Sequence, residues 1–209
     1  MIDDSALRRL MNAIASGDGA AALDMLSASP ALATAALNQG ATRAAATENF
    51  LTEMSHYVYA GDTALHVAAA AHQPEIACTL IDRGADVAAR NRRGATPLHY
   101  AADGSPGFPR WNPAHQTETI ALLIASAADP NAGDKNGVTP LHRAVRTRCA
   151  GAVSALMDGG ADARCQNGNG ATPVVLATRQ TGRSGSGSPE AMAQRAEIIR
   201  LFERHSMIL

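Results

Sequence analysis

Three histidines lie in copies of one short motif, and histidine is the side chain that most often serves as a general base, a metal ligand or a pH-sensitive hydrogen-bond donor. His66, His99 and His142 occur in "GDTALHVAA", "GATPLHYAA" and "GVTPLHRAV". Catalysis would need a nucleophile or a paired acid at a fixed offset from each histidine, and none recurs. A fourth copy, "GATPVVLAT", has Val175 in the histidine position. The pattern therefore favours a structural role for the histidines.

The motif copies begin at Gly61, Gly94, Gly137 and Gly170, so they are 33, 43 and 33 residues apart. A period near 33 residues indicates a stack of small units rather than one or two globular domains. The longer spacing places a ten-residue insertion in one unit. The elements that position the histidines must therefore recur with the same period.

The second half of each unit has the pattern of a helix. In "PEIACTLIDRGADVAARN" apolar residues lie near helical spacing, Pro74 sits where a first turn tolerates proline, and Gly84 follows the last apolar pair. Gly160 has the same place in a later unit. Ala127 replaces this glycine in the unit between, and because alanine at positive φ is strained by roughly 1 kcal/mol, we expect that helix to end differently. Each unit is predicted as turn, helix, tight turn, helix.

These motifs resemble the ankyrin repeat, closely over residues 61 to 178 and loosely elsewhere. The second half of the match is "GADV" at Gly84, "AADP" at Ala127 and "GADA" at Gly160. The resemblance implies an all-α solenoid of about five helix-turn-helix units that forms a single domain over residues 1–209. It divides the chain into a degenerate first unit at 5–29, a long connecting loop at 30–60, central units at 61–93, 94–136 and 137–169, and a last unit at 170–205.

The resemblance also implies roles for the motif residues. The threonine starts the first helix of a unit, the proline occupies its first turn and the leucine faces the core. The histidine is expected to bond back to neighbouring backbone or to the threonine of its own motif. His66, His99 and His142 would then be structural.

Composition limits where the chain could act. Hydrophobic residues make up 46% and aromatic residues 3%, which suits closely packed helices built from alanine and leucine. No apolar run approaches the roughly 18 residues of a membrane span, and "MIDDSALRRLMNAIASGDG" has two aspartates where a secretory signal would be basic. We expect a cytoplasmic monomer without membrane partner, metal or cofactor. Cys78, Cys149 and Cys165 lack metal-ligand spacing and are expected to be free thiols.

Charge is unevenly distributed along the chain, although the net charge is −1. Residues 1 to 82 carry −6 and residues 83 to 183 carry +5, and seventeen arginines stand against one lysine. A guanidinium is suited to carboxylates and phosphates, so the basic part could bind acidic groups. The alternative is a coding bias toward arginine and alanine in a high-GC bacterium. Because lysine is nearly absent and no nucleic-acid module is present, no nucleic-acid partner is predicted.

Three segments depart from the repeat. In residues 30–60, Phe50, Leu51 and Met54 fit a short helix, whereas "HYVYA" fits a strand or a packed lead-in to the next turn. The insertion at 103–116, "DGSPGFPRWNPAHQ", is predicted to be a non-helical, extended bulge. Phe108, Arg110 and Trp111 within it could form an interface, or could fold back onto the stack; we expect one ring to do each. The third segment, around "GRSGSGS", lacks the strand and lysine of a phosphate-binding loop and is predicted to be a flexible linker.

The resemblance to ankyrin repeats implies that the residue after each motif histidine points into the concave groove of the stack. That row is Val67, Tyr100, Arg143 and Leu176, and helical neighbours on the same face add Arg146 and Arg179. The turn-tip residues Arg92 and Arg93 could extend the footprint. The chain is therefore interpreted as a non-catalytic protein-protein interaction module. Its expected partner is a protein segment that offers carboxylates to the arginines and an apolar residue near Tyr100 or Trp111.

An alternative of another class is a small-molecule sensor or enzyme. Six of the seven aromatic residues fall in or beside the first two departures, so the long loop and the insertion could enclose an aromatic pocket. His56, His72 and His115 lie outside the motif and are free to act there. His115, near Trp111, is the best placed of them.

Overall fold

The computed structural model describes residues 3–42, 46–54, 56–106, 111–179 and 188–205. The described residues form ten α-helices arranged in five antiparallel pairs. These are α1 (Asp4–Ser16) and α2 (Gly19–Ala28), α3 (Ala64–Ala70) and α4 (Pro74–Asp82), α5 (Pro97–Ala102) and α6 (Pro113–Ala125), α7 (Pro140–Thr147) and α8 (Ala150–Asp158), and α9 (Pro173–Thr178) and α10 (Pro189–Arg204).

The helix pairs stack in chain order into two layers. The first helices of the pairs pack side by side as α1, α3, α5, α7 and α9, and the second helices pack as α2, α4, α6, α8 and α10. Small residues such as Ala68, Ala101 and Ala144 are fully buried in the first layer, which lets neighbouring helices approach closely. The predicted all-α solenoid is confirmed.

Helix ends follow the local sequence. Prolines at the first turn begin six of the ten helices in the described part of the chain, including α4 at Pro74 as expected. Gly84 and Gly160 adopt φ values of 89° and 91° just after α4 and α8. Ala127 adopts φ 71° after α6, and its N–H bonds the Ile124 carbonyl as that of Gly84 bonds Ile81. The expectation that this helix ends differently is wrong, because the repeated packing imposes the left-handed turn on alanine as well.

The turns between units form a row of tips along one edge of the stack. Backbone hydrogen bonds join consecutive tips, from Arg92 N to Ala60 O at 2.7 Å and from Lys135 N to Arg93 O at 3.0 Å. Gly94 has φ 78°, and a Cβ there would lie 2.9 Å from Lys135 N. Glycine at this position therefore allows the close approach that fixes the neighbouring arginine tip.

The long loop between the first two units folds into a small hairpin beside this row. Short 3-10 helices at Pro30–Ala33, Thr47–Asn49 and Thr52–Met54 accompany strand β1 (Phe50–Leu51), which pairs antiparallel with β2 (His56–Tyr57). The extended prediction for "HYVYA" is confirmed at His56–Tyr57. The predicted short helix from Phe50 is wrong for Phe50 and Leu51, which are in the strand, because pairing with β2 satisfies their backbone.

The insertion in the third helix pair is partly helical. Helix α6 begins at Pro113, so residues 113–116 are not the non-helical bulge that the prolines suggested. Asn112 caps this helix by accepting hydrogen bonds from Ala114 N and His115 N, and Pro113 occupies the first turn, where it needs no hydrogen-bond partner. Phe108 and Arg110 lie outside the described residues, as do residues 180–187, on which the linker prediction falls.

None of the helices in the described part of the chain is long and apolar enough to cross a membrane.

Candidate binding site

The motif histidines connect consecutive units. In His66, His99 and His142, Nδ1 accepts a hydrogen bond from the N–H of the motif threonine at 3.2, 3.1 and 3.2 Å. Nε2 donates to a carbonyl of the following unit, at Ala95, Val138 and Ala171, over 3.2, 2.9 and 2.9 Å. Burial lowers the pKa of all three, and that of His99 to about 4. The predicted structural role is confirmed, with both ring nitrogens already occupied.

Tyr100 is the centre of a buried polar cluster. It is only 2% exposed, and its hydroxyl donates to Asp62 Oδ2 at 2.9 Å and accepts from Asn91 Nδ2 at 2.9 Å. The same Asn91 group also bonds Asp62 Oδ1 at 2.9 Å. Burial, together with the Asp62 carboxylate, raises the pKa of Tyr100 above its ordinary value. Tyr100 is thus a neutral phenol in the core rather than the exposed aromatic of an open groove.

Arg143 lies over the face of Tyr100 and is held by two carboxylates. Its guanidinium carbon is 5.9 Å from the Tyr100 ring centre. Nη1 donates to Asp103 Oδ2 at 2.8 Å, and Nη2 lies 3.7 Å from Asp134 Oδ2. The side chain is 11% exposed. Because both acids orient the same guanidinium, Arg143 is a fixed part of the wall and not a mobile surface charge.

Arg146 is the most exposed of the arginine side chains on α7. It is one helical turn beyond Arg143 on α7, its side chain is 62% exposed, and Nη2 lies 3.7 Å from Asp103 Oδ1. At this exposure the pair with Asp103 contributes little to stability. The guanidinium of Arg146 is therefore available to an incoming anionic group.

These residues line a pocket between helices, turn tips and hairpin, which we call the arginine pocket. His56 in the hairpin and Tyr59 just after it line one side. Helices α5 and α7 contribute Tyr100, Arg143 and Arg146. The turn tips contribute Arg93, Asp134 and Asn136 among others. Three arginines and one aspartate give its lining a formal charge of +2. Its volume is about 180 Å³.

The hairpin forms one wall of the arginine pocket. The His56 ring lies 4.4 Å from the Tyr100 ring, centre to centre. Arg93 Nη1 donates to the Tyr59 hydroxyl at 3.0 Å, and Arg92 Nη2 donates to the Ala41 carbonyl at 2.7 Å. Burial lowers the pKa of His56. The two turn-tip arginines thus hold the long loop against the stack.

The predicted groove row is accessible along only part of its length. Val67 is 1% exposed and belongs to the same core as Leu51 and Val58 of the loop. Arg143 and Leu176 are partly exposed. The loop thus covers the start of the row, which a regular repeat pattern would leave open.

Of the predicted site residues, Tyr100, Arg143, Arg146 and Arg93 come together in the arginine pocket. Arg179 is exposed at the end of α9 and outside the pocket lining. Trp111 is partly buried against the core, and its indole N–H donates to Gln116 Oε1 at 2.9 Å. It is the insertion ring that folds back onto the stack.

The extra histidines do not share one pocket. His115 is exposed on the first turn of α6, and the described pocket lining includes neither it nor Trp111. His72 bonds the carbonyls of Ala101 and Asp103 through Nε2 and is partly buried. Of the long loop and the described part of the insertion, only the loop contributes to the arginine pocket, through His56 and Tyr59.

Sequence reasoning missed Asp103, Asp134, Asn136 and Tyr59 as neighbours of the arginines. A signal existed for Asp103, because it occupies the same register in its unit as Arg146 does in the next, four residues after the motif histidine. Equivalent positions of consecutive units are adjacent in a stack, so the opposite charges should meet. Tyr59 had no such signal, because the loop that carries it has no repeat register.

Cysteines and metal-ligating groups do not assemble into a further site. Cys78, Cys149 and Cys165 are all free thiols, as predicted. Burial raises the pKa of Cys149 to about 11, which keeps the thiol protonated. Among the residues that the structure describes, no three His, Cys, Asp or Glu side chains are grouped to hold a metal ion.

Comparison with known proteins identifies the repeat. A family described as "Ankyrin repeats (many copies)" matches residues 53–101 and 123–177, and a family described as "Ankyrin repeat" matches residues 93–135. The comparison with curated proteins gave no match. The matched segments together run from residue 53 to residue 177, which takes in helices α3 to α8, nearly all of α9, the capping histidines and the walls of the arginine pocket. The chain belongs to the ankyrin repeat family.

Proposed function

We propose that the protein binds an acidic segment of a partner protein along the exposed part of its first helix layer, with the arginine pocket as the main contact. Ankyrin repeats generally mediate protein-protein interaction and are typically non-catalytic. The partner would place a carboxylate at Arg146 and a second acidic group near Arg179. Tyr100 lines the pocket, and its ring packs under Arg143.

The observation that supports the proposal most is that the arginine pocket has a positively charged lining in which Arg143 is held in place. Arg143 is already fixed by Asp103 and Asp134, so binding does not have to immobilise it. Arg146 is exposed beside it and retains free donors. A carboxylate that reaches the pocket meets a positively charged lining whose geometry is set before it arrives.

The size of the pocket favours a protein segment over a small-molecule ligand. Its volume is about 180 Å³. Pockets for drug-sized ligands usually measure about 300–1,000 Å³. One amino-acid side chain or one chain end fits, so most of the partner would lie outside the pocket on the helix layer.

Affinity capture from a lysate of the source cells tests the proposal. The wild type is compared with Arg146→Glu/Arg179→Glu, in which two exposed charges are reversed. The matched control is Arg9→Glu/Arg83→Glu, which makes the same change of charge at exposed positions on α1 and just after α4. We expect proteins retained by the wild type and the control to be lost from the groove variant.

Far-ultraviolet circular dichroism and thermal melting establish that all three proteins are folded. Equal retention by the groove variant and the wild type contradicts the proposal. Loss from both double variants would mean that net charge alone drives capture, and it also contradicts a specific site.

A further inference from the structure

We propose that the arginine pocket recognises the free C-terminal carboxylate of the partner segment, so that the partner ends at the hairpin. This inference rests on the proposed function, since it names the part of the partner that enters the pocket. Three observations carry it: a wall that blocks the path of a continuing chain, a charge that matches a carboxylate, and donors without partners.

The wall is built by the hairpin and its arginine contacts. Beyond Tyr100 the row of first helices is covered, with Val67 1% exposed in the same core as the loop residues Leu51 and Val58. The His56 ring packs against the Tyr100 ring, and Arg93 donates a hydrogen bond to the Tyr59 hydroxyl. An extended segment that runs along the layer from the side of α9 therefore meets the hairpin at the pocket, where its chain has to end or turn away.

The charge is suited to one carboxylate. The pocket lining carries three arginines and Asp134, and Asp103 beside the lining pairs with Arg143 and Arg146, which leaves one positive charge in excess. The carboxylate of Asp134 already accepts hydrogen bonds from the N–H groups of Asn136 and Val138, at 2.8 and 3.1 Å. Arg146 is exposed at the rim and can turn toward an incoming anion, whereas Arg93 adds its charge there while it bonds the Tyr59 hydroxyl.

Two polar atoms of the lining residues lack a partner. His56 Nε2 and Arg143 Nε are buried and make no hydrogen bond within the described part of the protein. Buried polar atoms without partners are rare in native proteins and call for a specific explanation. A carboxylate offers only acceptors, and both atoms can donate, His56 in the tautomer that carries its proton on Nε2. Since both atoms are covered, the His56 and Arg143 side chains have to shift for a carboxylate to reach them.

A terminal carboxylate suits this arrangement better than one on a side chain. A chain that continues past the pocket would have to leave over the hairpin, whereas a terminus needs no exit. The pocket, with a volume of about 180 Å³, has room for a terminal residue.

The experiment uses synthetic pools of random octapeptides on the immobilised full-length protein, with mass spectrometry of what is retained. One pool lacks Asp and Glu and ends in a free carboxylate, so that the terminus is its sole carboxylate. Its matched control has the same sequences with a C-terminal amide. A third pool contains Asp and Glu but is amidated, so that only side-chain carboxylates are present.

We expect the free-acid pool to be retained about tenfold better than its amide control, the scale of a hydrogen-bonded charge. The preference should disappear in Arg146→Gln, and should persist in Arg179→Gln, which removes an exposed arginine outside the pocket. Melting curves of the two variants identify any that fail to fold. His56→Ala, which removes the unpartnered donor and leaves the arginines, should reduce the preference as well.

Equal retention of acid and amide pools overturns the inference, as does a preference that survives Arg146→Gln. Retention of the amidated pool with Asp and Glu, lost in Arg146→Gln, would overturn the C-terminal inference while the proposed function stands. If no pool is retained, the inference is overturned and the capture from lysate decides the proposed function separately.

Discussion

At the scale of single residues, the motif histidines determine how stability responds to pH. Each is buried with both ring nitrogens bonded, so the folded protein resists taking up a proton on the ring. The unfolded chain has no such restriction and binds protons near the ordinary histidine pKa of about 6.5. His99 shows the effect most clearly, because burial lowers its pKa to about 4 in the folded state.

The first prediction is a loss of stability in acid. Since the folded pKa of His99 is below the unfolded value, its effect is absent above about pH 6.5 and grows as the pH falls toward 4. The full shift corresponds to about 3 kcal/mol at its acid limit, and His66 and His142 act in the same direction. Urea unfolding at pH 7.5 and 4.5 measures the difference.

His99→Gln provides the comparison for this prediction. Glutamine at this position can still accept the Thr96 N–H but does not titrate. The variant should be less stable at pH 7.5 and should lose less stability on going to pH 4.5. A pH dependence identical to that of the wild type would exclude His99 as its source.

The second prediction concerns the Tyr100 hydroxyl. Tyr100→Phe removes a donor from buried Asp62 and an acceptor from Asn91, which still bond each other. We expect the free energy of unfolding to fall by about 2 kcal/mol. Tyr57→Phe, on a ring that is 41% exposed, should change it by less than about 0.5 kcal/mol. Similar effects of the two substitutions in denaturant unfolding would argue against the buried cluster.

At the scale of elements, helix ends repeat from unit to unit even where the residue is unfavourable. Ala127 has φ 71°, in the position where Gly84 and Gly160 have φ near 90°. The turn is set by the packing of the pairs on either side, and alanine accepts the strain. This is a case in which the repeat overrides a local preference.

The third prediction follows from that strain. Ala127→Gly should raise the free energy of unfolding by roughly 0.5–1 kcal/mol, because relief at positive φ exceeds the added entropy of unfolded glycine. Gly160→Ala should lower it by a similar amount, since an added Cβ meets nothing within 4 Å and only the backbone is strained. Thermal melting of both variants tests the pair, and a destabilised Ala127→Gly would contradict the account.

The hairpin is held by two turn-tip arginines, and the fourth prediction tests that contact. Arg92→Gln/Arg93→Gln removes the donors to the Ala41 carbonyl and the Tyr59 hydroxyl. The Val58 amide, which bonds the Asn49 carbonyl, should exchange with deuterium roughly tenfold faster. Exchange in α5 and α7 should be unaffected, and the control Arg83→Gln should exchange as the wild type. Unchanged exchange at Val58 would mean that other contacts hold the hairpin.

Across these elements, the repeat period determines what the sequence could predict. The helix pairs, the histidine roles and the close set of Tyr100, Arg143 and Arg146 follow from register within the units. The burial of Tyr100 does not, because the loop that covers it has no period to align. Helix α6 begins earlier than expected because Asn112 caps it and Pro113 occupies its first turn. The prolines of the insertion predict a non-helical segment, although one of them begins the helix.

At the scale of the whole molecule, the stack has one face that is distinguished by charge and shape. The second helix layer lies on the far side, and the hairpin covers part of the first layer at the N-terminal end. In the described part of the chain, what remains exposed of the first layer begins at the arginine pocket and continues to the end of α9, with Arg146 and Arg179 along it. The central claim is that partner proteins bind this face.

Site-specific photocrosslinking in the source cells tests that claim most directly. A benzophenone amino acid replaces Asn136 or Leu176 on the proposed face, which leaves the arginines in place, and Glu75 or Glu118, exposed on α4 and α6, on the opposite layer. We predict that light produces the same partner adduct from the first two positions and none from the other two. Adducts confined to Glu75 and Glu118, or equal yields from both layers, would contradict binding at the arginine face.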